Sequence, residues 1–169
     1  MPDDFEALRT HSEGGQVQSR LERPKLTNLS AGEVVVRTRF AGVNYKDCLS
    51  LHGKAKIITG FPRVAGIELV GEVVASSVDA FQPGQQVLVH GHQTGIAFDG
   101  GFAEYARVPA AHVHALPADL TPYEAAVLGV PAFTVAMALE KFGELGLTPA
   151  SGSIALSGAT GAVGLMALG

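Results

Sequence analysis

The residues best placed to do chemistry close the chain. Ile154-Ala155-Leu156-Ser157-Gly158-Ala159-Thr160-Gly161-Ala162-Val163-Gly164-Leu165-Met166-Ala167-Leu168-Gly169 reads as a short apolar strand, a glycine-spaced turn and the first turn of a helix. Gly158, Gly161 and Gly164 would let a pyrophosphate approach bare backbone N–H groups at the positive end of that helix. A lone glycine triplet is a weak signal, but the flanking apolar strand and helix supply the context it needs. Such a turn opens a unit of roughly 30 residues, with a charged selector about 20 residues further on. No residue follows Gly169, so the chain is expected to be the front part of a larger protein.

A second candidate group is Asn44-Tyr45-Lys46-Asp47. The Tyr45 phenol can give a hydrogen bond or a proton, or hold part of a cofactor. Read alone, it is foremost a half-buried tyrosine anchoring a turn, and only its motif context favours a place in the cofactor or substrate cleft. Asn44 can orient a carboxamide or carbonyl, or can be a turn residue in left-handed geometry. Asp47 is expected to cap a helix over 46–51 or to pair with Lys46. His90-Gly91-His92 and His112-Val113-His114 have period-two spacing, which on a strand would put each pair on one face. No third ligand is evident beside them, so they read as surface histidines. Cys48, the single cysteine, follows an aspartate that disfavours thiolate, and is expected to be buried and inert.

The elements that must position these groups change character along the chain. Residues 33–40, 67–75, 86–90 and 102–108 read as strands, with turns at Pro83-Gly84 and Asp99-Gly100-Gly101 and a bulge or close approach at Gly71. Short strands at this spacing predict a closed or nearly closed antiparallel barrel. Thr121, Pro122 and Glu124 then start a helix, and a second helix follows Pro131. The expected division is a β domain over 1–120 and the start of an α/β domain over 121–169. The fold class is mainly β with α.

Composition narrows the partners. The 169 residues are 47% hydrophobic and 17% charged, which suits a globular chain with a real core. A net charge of −4 argues against nucleic acid. One cysteine rules out an internal disulfide framework and a cysteine-cluster zinc site. The acidic Met1-Pro2-Asp3-Asp4 start is unlike a signal peptide, and no apolar run approaches the roughly 18 residues of a membrane span. A cytoplasmic location without membrane partners is expected.

Asn44-Tyr45-Lys46-Asp47, Phe61-Pro62-Arg63-Val64-Ala65-Gly66-Ile67-Glu68-Leu69-Val70-Gly71, Asp99-Gly100-Gly101-Phe102-Ala103-Glu104-Tyr105 and the closing glycine turn occur in an order that resembles the medium-chain dehydrogenase/reductase superfamily. Lys56-Ile57-Ile58 before Phe61-Pro62, and Leu147-Thr148-Pro149 before the last strand, make the chain most similar to the zinc-free quinone-oxidoreductase branch and its acryloyl-CoA reductase-like group. The resemblance implies a GroES-like barrel followed by a Rossmann domain, of which this chain holds the first strand and loop. It implies NADPH as cofactor and reduction of the C=C bond of an α,β-unsaturated carbonyl. A short enoyl-CoA is the implied small-molecule substrate, with quinones or enones as alternatives. The implied site is Asn44 and Tyr45 at the reacting centre, Tyr45 and Thr134 beside the nicotinamide, and Ala159, Thr160, Gly161, Ala162 and Val163 around the pyrophosphate. Zinc members carry Cys and His where Asn44 and Ile67 stand here, so no metal is expected. Val130-Pro131-Ala132 replaces the group's Thr-Ala-Gly before Phe133-Thr134, which removes a hydroxyl from the cofactor side. A homo-oligomer built through the nucleotide-binding domain is also implied. The competing reading is a non-enzymatic GroES-like module that self-associates through the apolar helices between Val127 and Leu147.

Overall fold

A computed structural model describes residues 2–169. It divides into two compact units, one ending at Val127 and one running from Leu128 to Gly169.

Among the described residues, the first unit is built from eight strands in two sheets. Strands β1 (Ala7–Glu13), β2 (Gln16–Glu22) and β4 (Arg63–Val64) form a sheet in the order β2-β1-β4. Strands β3 (Val34–Phe40), β5 (Glu68–Ser76), β6 (Gln86–His90), β7 (Tyr105–Val108) and β8 (His114–Ala115) form the other, in the order β7-β3-β5-β6-β8. Every strand pair is antiparallel. The two sheets are linked by the Ala7↔Ala103 bridge, which gives a partly open version of the expected barrel.

Alternation decides which face is buried. Val34 and Val36, Val87 and Val89, and Ala106 and Val108 stand two residues apart and meet Leu69, Val73 and Val113 in one core. A smaller cluster of Phe5, Ala7, Leu29 and Val64 lies under the other sheet. Gly71 faces Thr38 on β3, and a Cβ there would lie 2.2 Å from the Arg37 carbonyl oxygen. The register of β3 on β5 shifts on either side of this contact, at Val35/Val36 and at Thr38/Phe40.

Two strand readings change. The β1–β2 hairpin was not foreseen, although Gly14 and Gly15 sit between its strands with φ of 59° and 81°. Adjacent left-handed residues are what a two-residue hairpin turn demands. The strand expected over 102–108 begins only at Tyr105. The residues before it bond elsewhere: Phe102 donates to Ala65 and accepts from Leu8, and Glu104 donates to Glu6.

Helix α2 (Pro122–Glu144) starts as expected. The Glu124 N–H donates to Thr121 Oγ1 at 3.2 Å, and the Thr121 N–H donates to Glu124 Oε2 at 2.8 Å. By length and composition α2 could cross a membrane, with mean hydropathy 1.5 over its window, although polar residues interrupt its apolar run. Gly129, at φ 50° and ψ −160°, interrupts it, so the helical pieces are 122–128 and 130–144. Each is shorter than the roughly 20 residues a span needs.

The second unit ends in helix α3 (Ala162–Leu168). The strand expected at Ile154–Leu156 does not form a ladder. A strand needs a neighbour to take its backbone hydrogen bonds, and no described residue of this unit belongs to one.

Candidate active site

Asn44 is the N-cap of helix α1 (Tyr45–Leu51), whose first turn is fastened from two sides. The Asn44 backbone N–H donates to Asp47 Oδ2 at 2.8 Å, so Asp47 caps the helix it lies in. The other oxygen, Oδ1, accepts the Ile67 N–H at 3.0 Å, tying α1 to the residue before β5. Asp47 is 1% exposed. Burial pushes its carboxyl above the ordinary carboxylate range, the Asn44 and Ile67 N–H donors pull it back, and nearby Glu68 adds to the upward push.

Asn44 is extended, at φ −110° and ψ 158°, and not in the left-handed geometry weighed for it. Its Nδ2 donates to Glu68 Oε1 at 2.8 Å. Glu68 is 4% exposed, and its other oxygen lies 3.7 Å from His90 Nε2. A Cβ on Gly42 would fall 2.1 Å from Glu68 Oε1, so the glycine makes room for this carboxylate. The Asn44 amide thus hydrogen-bonds the Glu68 carboxylate directly. Among the described residues no group of three or more His, Cys, Asp or Glu is arranged to hold a metal ion.

Tyr45 occupies the first helical position and is 79% exposed. It is not the half-buried turn anchor that was the alternative. Its phenol projects from a backbone held by Asn44 and Asp47. Cys48 is exposed, against expectation. The buried positions of α1 are Asp47 and Ser50, three apart on one helix face, and Cys48 falls off that face.

Sequence reading undervalued Glu68 and His90. Strand pairing puts Glu68 opposite His90, and the Asn44 side chain bonds to it. The pairing of β5 with β6 was the available signal. Burial, helped by His114, lowers the His90 imidazole below its ordinary range. His92 stacks on His112 with ring centroids 4.9 Å apart and planes 11° apart, and lies 5.7 Å from His114. His92 of the first pair therefore joins His112 and His114 of the second in one ring cluster.

The remaining predicted residues lie in the second unit. The Thr134 hydroxyl donates to the Val130 carbonyl at 2.8 Å, one turn back on its own helix. Gly158 has φ 72°, and the Gly161 N–H donates to its carbonyl at 3.0 Å. A Cβ on Gly164 would sit 2.2 Å from the same carbonyl, so glycine lets the start of α3 lie against the turn. Thr160, Gly161, Ala162 and Val163 are exposed at that start, where first-turn N–H groups lack partners within the helix. This backbone fits a pyrophosphate: tight, free of bulky side chains and lined by donors.

The chain belongs to the medium-chain dehydrogenase/reductase superfamily, its residues 30–118 matching the alcohol dehydrogenase GroES-like domain. Its fold is that GroES-like domain followed by the start of a Rossmann-type domain. It is 35% identical over 155 residues to the acrylyl-CoA reductase AcuI of Ruegeria pomeroyi, covering 92% of this chain and 47% of that protein. The yhdH oxidoreductase of Salmonella enterica, solved in complex with NADP, is 36% identical with a TM-score of 0.93, over 96% of this chain and 50% of that one. The yhfP protein of Bacillus subtilis, solved with NAD bound, is 32% identical with a TM-score of 0.94, over 99% of this chain and 51% of that one. The chain thus spans about half the length of the relatives it matches.

Proposed function

We propose that this chain forms the N-terminal part of an NADPH-dependent, zinc-free reductase. Its reaction is reduction of the C=C bond of an α,β-unsaturated carbonyl, with an acryloyl-CoA-type enoyl thioester as substrate. The observation that carries this reading is the fastening of Tyr45. A phenol exposed to solvent is mounted on a helix start whose backbone is held by Asp47 and whose Asn44 side chain is held by Glu68. Likeness to an acrylyl-CoA reductase supports the substrate class.

NADPH, when bound, supplies the hydride that the β-carbon accepts. Tyr45 donates a hydrogen bond or the proton that completes the α-carbon. Asn44, with Nδ2 held by Glu68, orients a carbonyl or carboxamide. Thr134 and residues 159–163 serve the nicotinamide side and the pyrophosphate. We place the protein in the cytoplasm, with no membrane or nucleic-acid partner.

Steady-state NADPH oxidation by the protein carrying these residues tests the reading. Acryloyl-CoA is expected to be turned over at least 10-fold more efficiently than a quinone, and Tyr45→Phe to lower kcat by about 10- to 100-fold. Faster turnover of the quinone would select the quinone or enone alternative.

A specific observation favours a second, non-enzymatic reading. Phe133, Met137, Leu139, Leu145 and Leu147 are large, apolar and exposed within the second unit. Such a surface suits self-association. No saturable NADPH binding together with a stable oligomer would favour this module over the enzyme.

A further inference from the structure

The loop after β6 has an unusual backbone. Gly91, His92 and Gln93 are consecutive left-handed residues, with φ of 72°, 51° and 66°. Only the first is a glycine, so His92 and Gln93 hold a conformation that side chains disfavour. Inside the loop, the N–H groups of Ile96, Ala97 and Phe98 all donate to the Gln93 carbonyl. On the outside, the His92 ring lies flat on His112, which also meets the Phe98 ring at 80°, centroids 5.2 Å apart.

We propose that the His92–His112 stack is an acid-sensitive latch that keeps the 91–98 loop closed at neutral pH and releases it as the imidazoles become protonated. Two neutral rings attract at this spacing. Two charged rings 4.9 Å apart repel, and His114 stands 5.7 Å from His92 to add a third charge.

The surrounding charges do not cancel this. Facing the cluster from the start of β3 is Glu33, whose Oε2 accepts the Ala110 N–H at 2.9 Å and which also interacts with Arg107. From β6 comes His90, whose nearby carboxylate is Glu68. From β8 comes His114. Burial first, and His92 second, hold the His112 imidazole below its ordinary range, while Glu33 opposes them. A histidine lowered in the folded state contributes stability above its unfolded value near 6.5, and that contribution is lost as pH falls toward the folded value.

The loop reaches the candidate site through two hydrogen bonds. The Gly91 N–H donates to the Ile67 carbonyl at 2.9 Å, and the Ile67 N–H donates to Asp47 Oδ1 at 3.0 Å. Release of the loop therefore loosens the carboxylate that caps the helix start bearing Asn44 and Tyr45. The latch is independent of any catalytic reading and is tested without turnover.

Amide hydrogen exchange of the full chain at pH 7.5 and pH 5.5, corrected for the intrinsic pH dependence of exchange, reads the opening directly. Protection of residues 91–98 is expected to fall at least 10-fold at the lower pH, with a smaller loss at 44–47 and none at 130–144. His92→Asn tolerates the left-handed backbone without a titrating ring, and is expected to remove the pH difference. Equal wild-type protection at both pH values, or an unchanged pH response in His92→Asn, overturns the proposal. If that variant loses its cooperative melt, NMR titration of the wild-type imidazoles decides. A His112 midpoint below 6.5 supports the latch, and one at or above 6.5 overturns it.

Discussion

At the scale of single residues, Asp47 does more than its type suggests. It satisfies two backbone N–H groups from inside the fold, at Asn44 and Ile67. Asp47→Ala leaves both without an acceptor and is expected to cost about 2–4 kcal/mol, read from urea unfolding. Its titration runs opposite to that of the paired surface carboxylates. Because the folded carboxyl is raised above 3.8, its contribution is fullest below 3.8 and declines as pH rises through the folded value. Glu22, lowered by its Arg20 hydrogen bond, contributes above its unfolded value of 4.5 and loses that contribution as pH falls through its folded one. Comparing the stability–pH curves of Asp47→Asn and Glu22→Gln between pH 3 and 7 should show slopes displaced in opposite directions from wild type. Neither Asp47's second partner nor the Glu68–Asn44 bond could be read from composition or spacing, because each joins residues 20 or more positions apart.

At the scale of elements, close backbone approach sets the tolerances. Gly71→Ala would push a methyl to within 2.2 Å of the Arg37 carbonyl. It is expected to cost more than about 2 kcal/mol, by forcing β3 and β5 apart, and to lower the thermal midpoint. Gly129 is a separate case. Its dihedrals, φ 50° and ψ −160°, lie where essentially only glycine is found. Gly129→Ala is expected to destabilise the 130–144 helix by about 1–3 kcal/mol, which hydrogen exchange along that segment would register. The strands over 34–40, 68–76 and 86–90 and the capped start of α2 were legible because alternation and capping are local patterns. The short β4 and β8 were not, because two-residue strands exist only through their partners. Cys48 was misplaced for a related reason: which face of α1 is covered depends on distant partners such as Ile67 and β2, not on the neighbouring aspartate.

At the scale of the whole molecule, the two units differ in how they treat apolar side chains. The first has a closed valine-rich core. The second displays Met137, Leu139, Leu145, Leu147 and Ile154 to solvent. Sedimentation velocity over a tenfold concentration range is expected to show association, and Met137→Glu with Leu139→Glu is expected to shift it toward monomer. A concentration-independent monomer in the wild type would contradict this. The sequence by itself determined the superfamily, the antiparallel β framework and the glycine turn, because those reside in residue order, period-two burial and glycine placement. Only the tertiary structure decided what surrounds the candidate chemistry. It set Glu68 on Asn44, left Tyr45 exposed, turned Cys48 outward and stacked His92 on His112. Those contacts follow from how strands and loops distant in sequence register against one another, and no local pattern encodes that register.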